Sequence, residues 1–258
     1  MSKKSKILLC TGIGILLVGI ILSVTLYFVN ITHLDESQIN KTYQLEEFNS
    51  IDIDLVESDI KIINSNENKV EFTESDSIYH ELSYENGILN IKRKSKYHPF
   101  EWLFHSKFVN MSMTLYLNES TLNEVDINVV SGKVEIEKIN ANILDIKSVS
   151  GNILLNNANF SDVYIETVSG SIEGDNIKAL NKLELESVSG KIELLNSDAK
   201  NIEGQTVSGN ISLELKSNKI YTIKTISGKI NKPENGNNGF CNVETISGNI
   251  DIVVIVIE

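Results

Sequence analysis

Seven serines, each followed by glycine, are the first residues of this chain whose type and spacing suggest chemistry: Ser131, Ser150, Ser169, Ser189, Ser208, Ser227 and Ser247. A serine nucleophile is activated once, by a single base held beside it. Seven equivalent serines without neighbouring histidines read instead as architecture, together with Gly132, Gly151, Gly170, Gly190, Gly209, Gly228 and Gly248. Carboxylates are the second candidate. If these segments are strands, Glu135, Glu173, Glu193 and Asp251 share an outward column with Leu154, Ser212 and Asn231, beside Lys133, Lys191 and Lys229. Cleavage of a polysaccharide on a β-helix needs a localised carboxylate cluster. Mixed signs at neighbouring positions fit a solvated sheet face with cross-strand pairing, and the acidic column offers at most a weak divalent-cation site. His98 and His105, with Glu101 between them and no cysteine near, read as structural or solvated rather than as metal ligands. P-loops, HExxH sequences and paired-cysteine motifs are absent. The chain is therefore expected not to be an enzyme, with no catalytic, cofactor-binding or metal residue and no cofactor.

The elements that carry these residues follow from their spacing. The serines recur every 19, 19, 20, 19, 19 and 20 residues within a Val/Ile-Ser-Gly-x-Ile/Val unit. So constant a period makes each unit one turn stacked on the last. VSGKVEI, VSGNILL, VSGKIEL and ISGNIDI alternate with period two and are rich in β-branched residues, which makes them strands. The fold class expected is all-β, a single parallel β-solenoid (β-helix) of about 19–20 residues per coil, preceded by one amino-terminal transmembrane helix.

Within VSGKIEL the alternation assigns Val188, Gly190, Ile192 and Leu194 inward and Ser189, Lys191 and Glu193 outward. Upstream, Leu144, Ile146 and Ser148, or Leu183, Leu185 and Ser187, are also assigned inward. Ser148 and Val149 are adjacent, so a bend or bulge is expected between them. The repeated glycine has two readings: a corner with φ above zero, or an inward position where stacked coils leave no room for a Cβ. The second keeps Val, Gly, Ile and Leu on one face. Glu57-Ser58-Asp59-Ile60 looks like a degenerate unit, so residues 43–120 are assigned to irregular amino-terminal coils or a cap and 121–258 to the regular repeats. The terminal IDIVVIVIE reads as an apolar closing strand, an association site unless something covers it.

Ile7 to Val29 holds 23 residues without a charge, enough at about 1.5 Å per residue to cross a bilayer. A small-x-small cleavage site is missing, and Cys10 follows Leu8 and Leu9 rather than a small residue, which makes it a lipid-facing thiol. Lys3, Lys4 and Lys6 precede the segment, and positive flanks stay cytoplasmic. This predicts a cytoplasmic tail (1–6), a single-pass cell-membrane anchor (7–29), a linker (30–42) and an extracytoplasmic remainder. All 35 acidic residues and all but three of the 23 basic ones lie in that remainder, which therefore carries −15. Such a charge disfavours nucleic acid as a partner and flat contact with anionic lipid. Cys241 cannot pair with a cysteine in the membrane, so no internal disulfide is expected.

Between Lys92 and Met111 the alternation stops. The segment KRKSKYHPFEWLFHSKFVNM holds the chain's only arginine and tryptophan, Arg93 and Trp102, with Phe100, Phe104 and Phe108. Either its aromatics cap the end of the core, or they form an amphipathic loop that touches the membrane surface or a protein partner.

The anchor, the I-D-I-x-x-x-x-x-D-I-K-I pattern from Ile51 and the tandem V-S-G-x-I array, spanning about residues 45–257, resemble a family of bacterial β-strand-repeat proteins named as adhesins. The resemblance implies membrane-anchored proteins outside Gram-positive cells, some tied to cell-envelope stress systems, and carries over no catalytic residue. Two functions of different class follow. One is a non-enzymatic, adhesin-like binding or scaffold module for a cell-envelope polymer or a membrane or surface protein. The other is a regulatory partner in an envelope stress response, with a polysaccharide-active β-helix enzyme ranked third.

Overall fold

A computed structural model describes residues 38–96, 110–118 and 121–255. The segment 7–29 and Phe100, Trp102, Phe104 and Phe108 lie outside the described residues, which contain 20 strands and no helix. One coil runs from β12 (Asn159–Ser169) through β13 (Ile172–Asp175) into β14 (Lys178–Ser189). Its alternation breaks at three places, and each break is a corner. The first is the Ser-Gly unit. At the second stands a residue with left-handed φ, namely Lys138, Asn157, Asn176 or Asn196 in successive coils, at φ of 57°, 53°, 54° and 48°; asparagine tolerates that region best among residues with a side chain. The third lies inside the long strand, where Leu180 and Asn181 are both exposed between buried Ala179 and Leu183.

Two ladders carry the stack. The first runs β5 (Ile78–Glu85), β6 (Ile88–Ser95), β2 (Ser50–Glu57), β8 (Leu122–Ser131), β10 (Asn140–Ser150), β12, β14, the carboxyl half of β15 (Ile192–Ser208), β19 (Phe240–Ser247) and β17 (Ile220–Ser227). The second runs β1 (Ile39–Gln44), β4 (Lys69–Glu74), β7 (Ser112–Asn118), β3 (Asp59–Ser65), β9 (Val134–Glu137), β11 (Ile153–Asn156), β13, the amino half of β15, β16 (Ile211–Leu215), β20 (Ile250–Val254) and β18 (Ile230–Asn231). Pairing is parallel except at the amino-terminal end, where β1–β4, β4–β7 and β5–β6 are antiparallel. Aliphatic columns fill the interior, as in Ile127, Ile146, Ile165 and Leu185, which register across four coils and are all buried.

Stacking order departs from chain order at both ends. The β2–β3 coil lies between the β6–β7 coil and the β8–β9 coil. At the other end the β19–β20 coil is wedged between β15–β16 and β17–β18. The expectation for IDIVVIVIE is corrected accordingly: β20 is an interior strand, and β17 and β18 close the stack. The amino-terminal cap is pinned by a buried carboxylate, Glu74. Glu74 accepts from Lys41 Nζ at 2.6 Å through Oε2 and from the His80 backbone N–H at 2.6 Å through Oε1, while His80 stacks on Phe72 at 4.3 Å between ring centroids.

Candidate binding surface

The seven serines register as one column, in the spatial order Ser131, Ser150, Ser169, Ser189, Ser208, Ser247, Ser227. The valine before each serine is not inward. Val149 is 49% and Val188 48% exposed, whereas Ser148 and Ser187 are buried. No bulge separates Ser148 from Val149, because the ladder continues unshifted through Ser150. The Leu183–Leu185–Ser187 alternation simply persists, so the following residue falls outside and the phase changes at the glycine.

Both readings of the glycine hold in part. A Cβ on Gly190 would lie 1.9 Å from the Gly170 carbonyl oxygen, and the other six meet backbone carbonyls just as closely, so the coils approach backbone to backbone there. Gly132 and Gly151 also have φ of 132° and 146°. Four of the glycine carbonyls accept from a buried hydroxyl three residues ahead of the next glycine, whereas Ser148 Oγ and Thr167 Oγ1, buried at the same position, make no hydrogen bond. Ser187 Oγ donates to Gly170 O at 3.3 Å, Thr206 to Gly190 at 3.4 Å, Thr245 to Gly209 at 3.2 Å and Thr225 to Gly248 at 3.1 Å. The sequence signal of this hydroxyl column is the Ser or Thr that stands at that position in six of the seven units. In the first coil of the array Ser58 stands opposite Gly132, since Glu57 registers with Ser131.

The outward valines, with their isoleucine counterparts, make a ridge along the stack: Val130, Val149, Val168, Val188, Val207, Ile246 and Ile226. At about 4.8 Å per coil it is roughly 29 Å long. Beside it runs a groove of about 390 Å³ lined by Lys147, Glu166, Glu186, Gln205 and Glu244. Burial, and then repulsion from Glu184 and Glu166, push the Glu186 carboxyl above its ordinary value. Burial, with Asp145 and Asp52, does the same to Asp126. Lys182 offsets part of this charge by bridging Glu184 at 2.8 Å and Glu203 at 3.0 Å.

The carboxylates considered for glycan chemistry stand in the column read from sequence: Glu135, Leu154, Glu173, Glu193, Ser212, Asp251, Asn231. Lys133 and Lys61 hold Glu135 at 2.7 and 2.8 Å and keep its carboxyl below the usual range. Lys191 bridges Glu173 at 3.0 Å and Glu193 at 2.9 Å. This is cross-strand neutralisation of a solvated face. Among the described residues no group of three or more His, Cys, Asp and Glu side chains can hold a metal ion. Arg93 is half-buried on β6 opposite His80 and does not lie beside the ridge. Cys241 is buried, and burial pushes its thiol up to about 12, which makes it inert.

Stacked coils, a repeated backbone contact and a continuous surface ridge define the class: an all-β, mostly parallel solenoid whose repeated residues build surface. The family described as Toastrack DUF4097 matches residues 48–255, and the chain belongs to it. Among solved structures, a Bacteroides fragilis protein, an adhesin by name, is similar at 19% identity and a TM-score of 0.55, covering 85% of this chain and 98% of that one. A Parabacteroides distasonis adhesin by name aligns at 16% identity and TM-score 0.52, over 85% and 98%. A lipid-binding protein by name from the same species aligns at 17% and 0.52, over 85% and 99%. Identities this low carry the fold alone. No curated protein matches the chain.

Proposed function

We propose that this protein is a non-enzymatic, adhesin-like binding module, held on the outer side of a cell membrane by the uncharged segment Ile7–Val29 and docking through its ridge and groove to a cell-envelope polymer or surface protein. The observation that carries the reading is the ridge: seven aliphatic side chains in register along the stack, each near half exposed or more. Contiguous apolar surface of this kind marks contact sites, and each Å² it loses to a partner contributes about 25 cal/mol. The names of the similar structures and the uncharged amino-terminal segment support the same reading.

The test is co-sedimentation of the detergent-solubilised full chain with isolated cell envelopes. A Val168→Ser, Val188→Ser, Val207→Ser variant should lose binding while its melting temperature changes little, since these positions are solvent-facing. Undiminished binding by that variant would remove the ridge from the function.

A further inference from the structure

Among the described residues, antiparallel strands cap one end of the stack and not the other. Antiparallel strands cover the amino-terminal coil, but among the described residues nothing pairs with the outer edge of β17. Its amide directions follow from two bonds. Ile220 N–H donates to Gly239 O at 2.9 Å, towards β19, and Tyr221 N–H turns the other way, to Asn235 Oδ1 at 3.3 Å. A parallel ladder alternates in this manner, so Ile223 and Thr225 present their N–H and C=O groups to the open side. Gly228 repeats the situation. The carbonyls of Gly170, Gly190, Gly209 and Gly248 each accept a hydroxyl from the next coil; Gly132 O and Gly151 O do not, although Ser148 and Thr167 stand over them, and over Gly228 O there is no described hydroxyl at all. Ile226 is the most exposed member of the ridge at 82%, against 45–49% for those covered on both sides by a neighbouring coil. The end coil thus displays every feature with which an interior coil receives its neighbour. Its charge is unlike the rest of the stack: Ile220 to Lys232 holds Lys224, Lys229 and Lys232 and no acidic residue, and Lys224, 69% exposed, has only a loose, exposed contact at 3.6 Å to Glu244 of the coil beneath.

We propose that the outer edge of β17 is a strand-addition site for an extended, acidic polypeptide segment of another protein, which would form one further rung of the stack. Main-chain bonds to Ile223 and Thr225 supply the pairing, a Ser or Thr hydroxyl fills Gly228 O, an aliphatic residue covers Ile226, and a carboxylate meets Lys224. A second copy docking by the same edge would place Lys224, Lys229 and Lys232 near their own counterparts, and like charges oppose this. The site meets the ridge only at its terminal member, Ile226, and shares no residue with the groove or with Val168, Val188 and Val207.

A peptide with the sequence Leu183 to Gly190, LELESVSG, is the probe, because in register its glutamate at 186 falls on Lys224, its serine at 187 on Gly228 O and its valine at 188 on Ile226. Fluorescence anisotropy with the detergent-solubilised full chain should show saturable binding. Replacing both glutamates of the peptide by lysine should weaken it roughly tenfold, and Lys224→Glu should reverse that preference. Ile223→Pro removes an edge donor without touching the β19 ladder and should abolish binding, whereas the Val168→Ser, Val188→Ser, Val207→Ser variant should bind the peptide normally. Failure of the ridge variant in envelope sedimentation therefore leaves this site unaffected, and the reverse also holds. Absence of saturation, indifference to both Ile223→Pro and Lys224→Glu, or self-association of the chain through this edge would overturn the proposal.

Discussion

Asn249 donates its backbone N–H to Asn210 Oδ1 at 2.8 Å, although the two residues are 39 apart in the chain. Elsewhere the same contact joins residues one repeat apart, as from Ser171 N–H to Asn152 Oδ1, 19 residues away. The doubled interval is the signature of the wedged coil, and Lys229 N–H in turn reaches Asn249 Oδ1 at 2.9 Å. Cysteines at Asn210 and Asn249 are expected to oxidise to a disulfide in the folded chain. Cysteines at Asn210 and Lys229, two rungs or about 9.6 Å apart, exceed the reach of a disulfide. Non-reducing electrophoresis of the two double variants decides the order of the last coils.

Glycines in the same stack should respond oppositely to alanine. At Gly190 a Cβ would strike the Gly170 carbonyl, which is backbone and cannot swing aside, so Gly190→Ala should cost about 1–3 kcal/mol and Gly190→Val more. At Gly204 the nearest atom to a Cβ is Val243 Cγ1 at 3.8 Å, an ordinary contact in the aliphatic column. Gly204→Ala should be neutral or stabilise by roughly 0.4–1 kcal/mol, through reduced freedom of the unfolded chain. Urea unfolding of both variants provides the comparison.

Lys219 is 2% exposed, and its ammonium is held by Asp198 at 2.6 Å, Ser217 Oγ at 2.8 Å and the Asn238 carbonyl at 2.9 Å. Asp198→Ala strips the counter-charge from a buried cation and should destabilise by about 3–5 kcal/mol. Lys219→Met removes the charge itself and should cost less. A double-variant cycle by thermal unfolding separates the pair from its desolvation.

Acid should loosen the amino-terminal cap. Burial holds the His80 imidazole below its ordinary 6.5, against the opposing pull of Glu74, with Arg93 and Lys41 adding to the depression. Between the folded and unfolded values the unfolded chain binds more protons, so stability rises with pH there and falls as pH drops below about 6.5. The fall should level off once pH is below the folded value. His80→Gln should flatten this part of a melting-temperature profile between pH 7 and 5, and an unchanged slope would assign it to other groups.

The coil period, the all-β class and the Glu135–Glu173–Glu193 column were legible in the linear order of residues, because each is a local matter: spacing of 19–20 and alternation of period two leave a strand no other way to bury Ile192 and Leu194. The side taken by Val188 was within reach as well, but choosing the phase needs to know whether the ladder slips at Ser187, and that is a property of the neighbouring coil. Which coil neighbours which is not a local matter at all. Every rung offers nearly the same aliphatic column, glycine and hydroxyl, so repetition does not dictate an order of stacking. Chain connectivity and end-coil packing place β20 inside β18 and join Glu74 to Lys41 across the cap. Long-range pairing chose among near-equivalent rungs, and its preference is written in no single repeat.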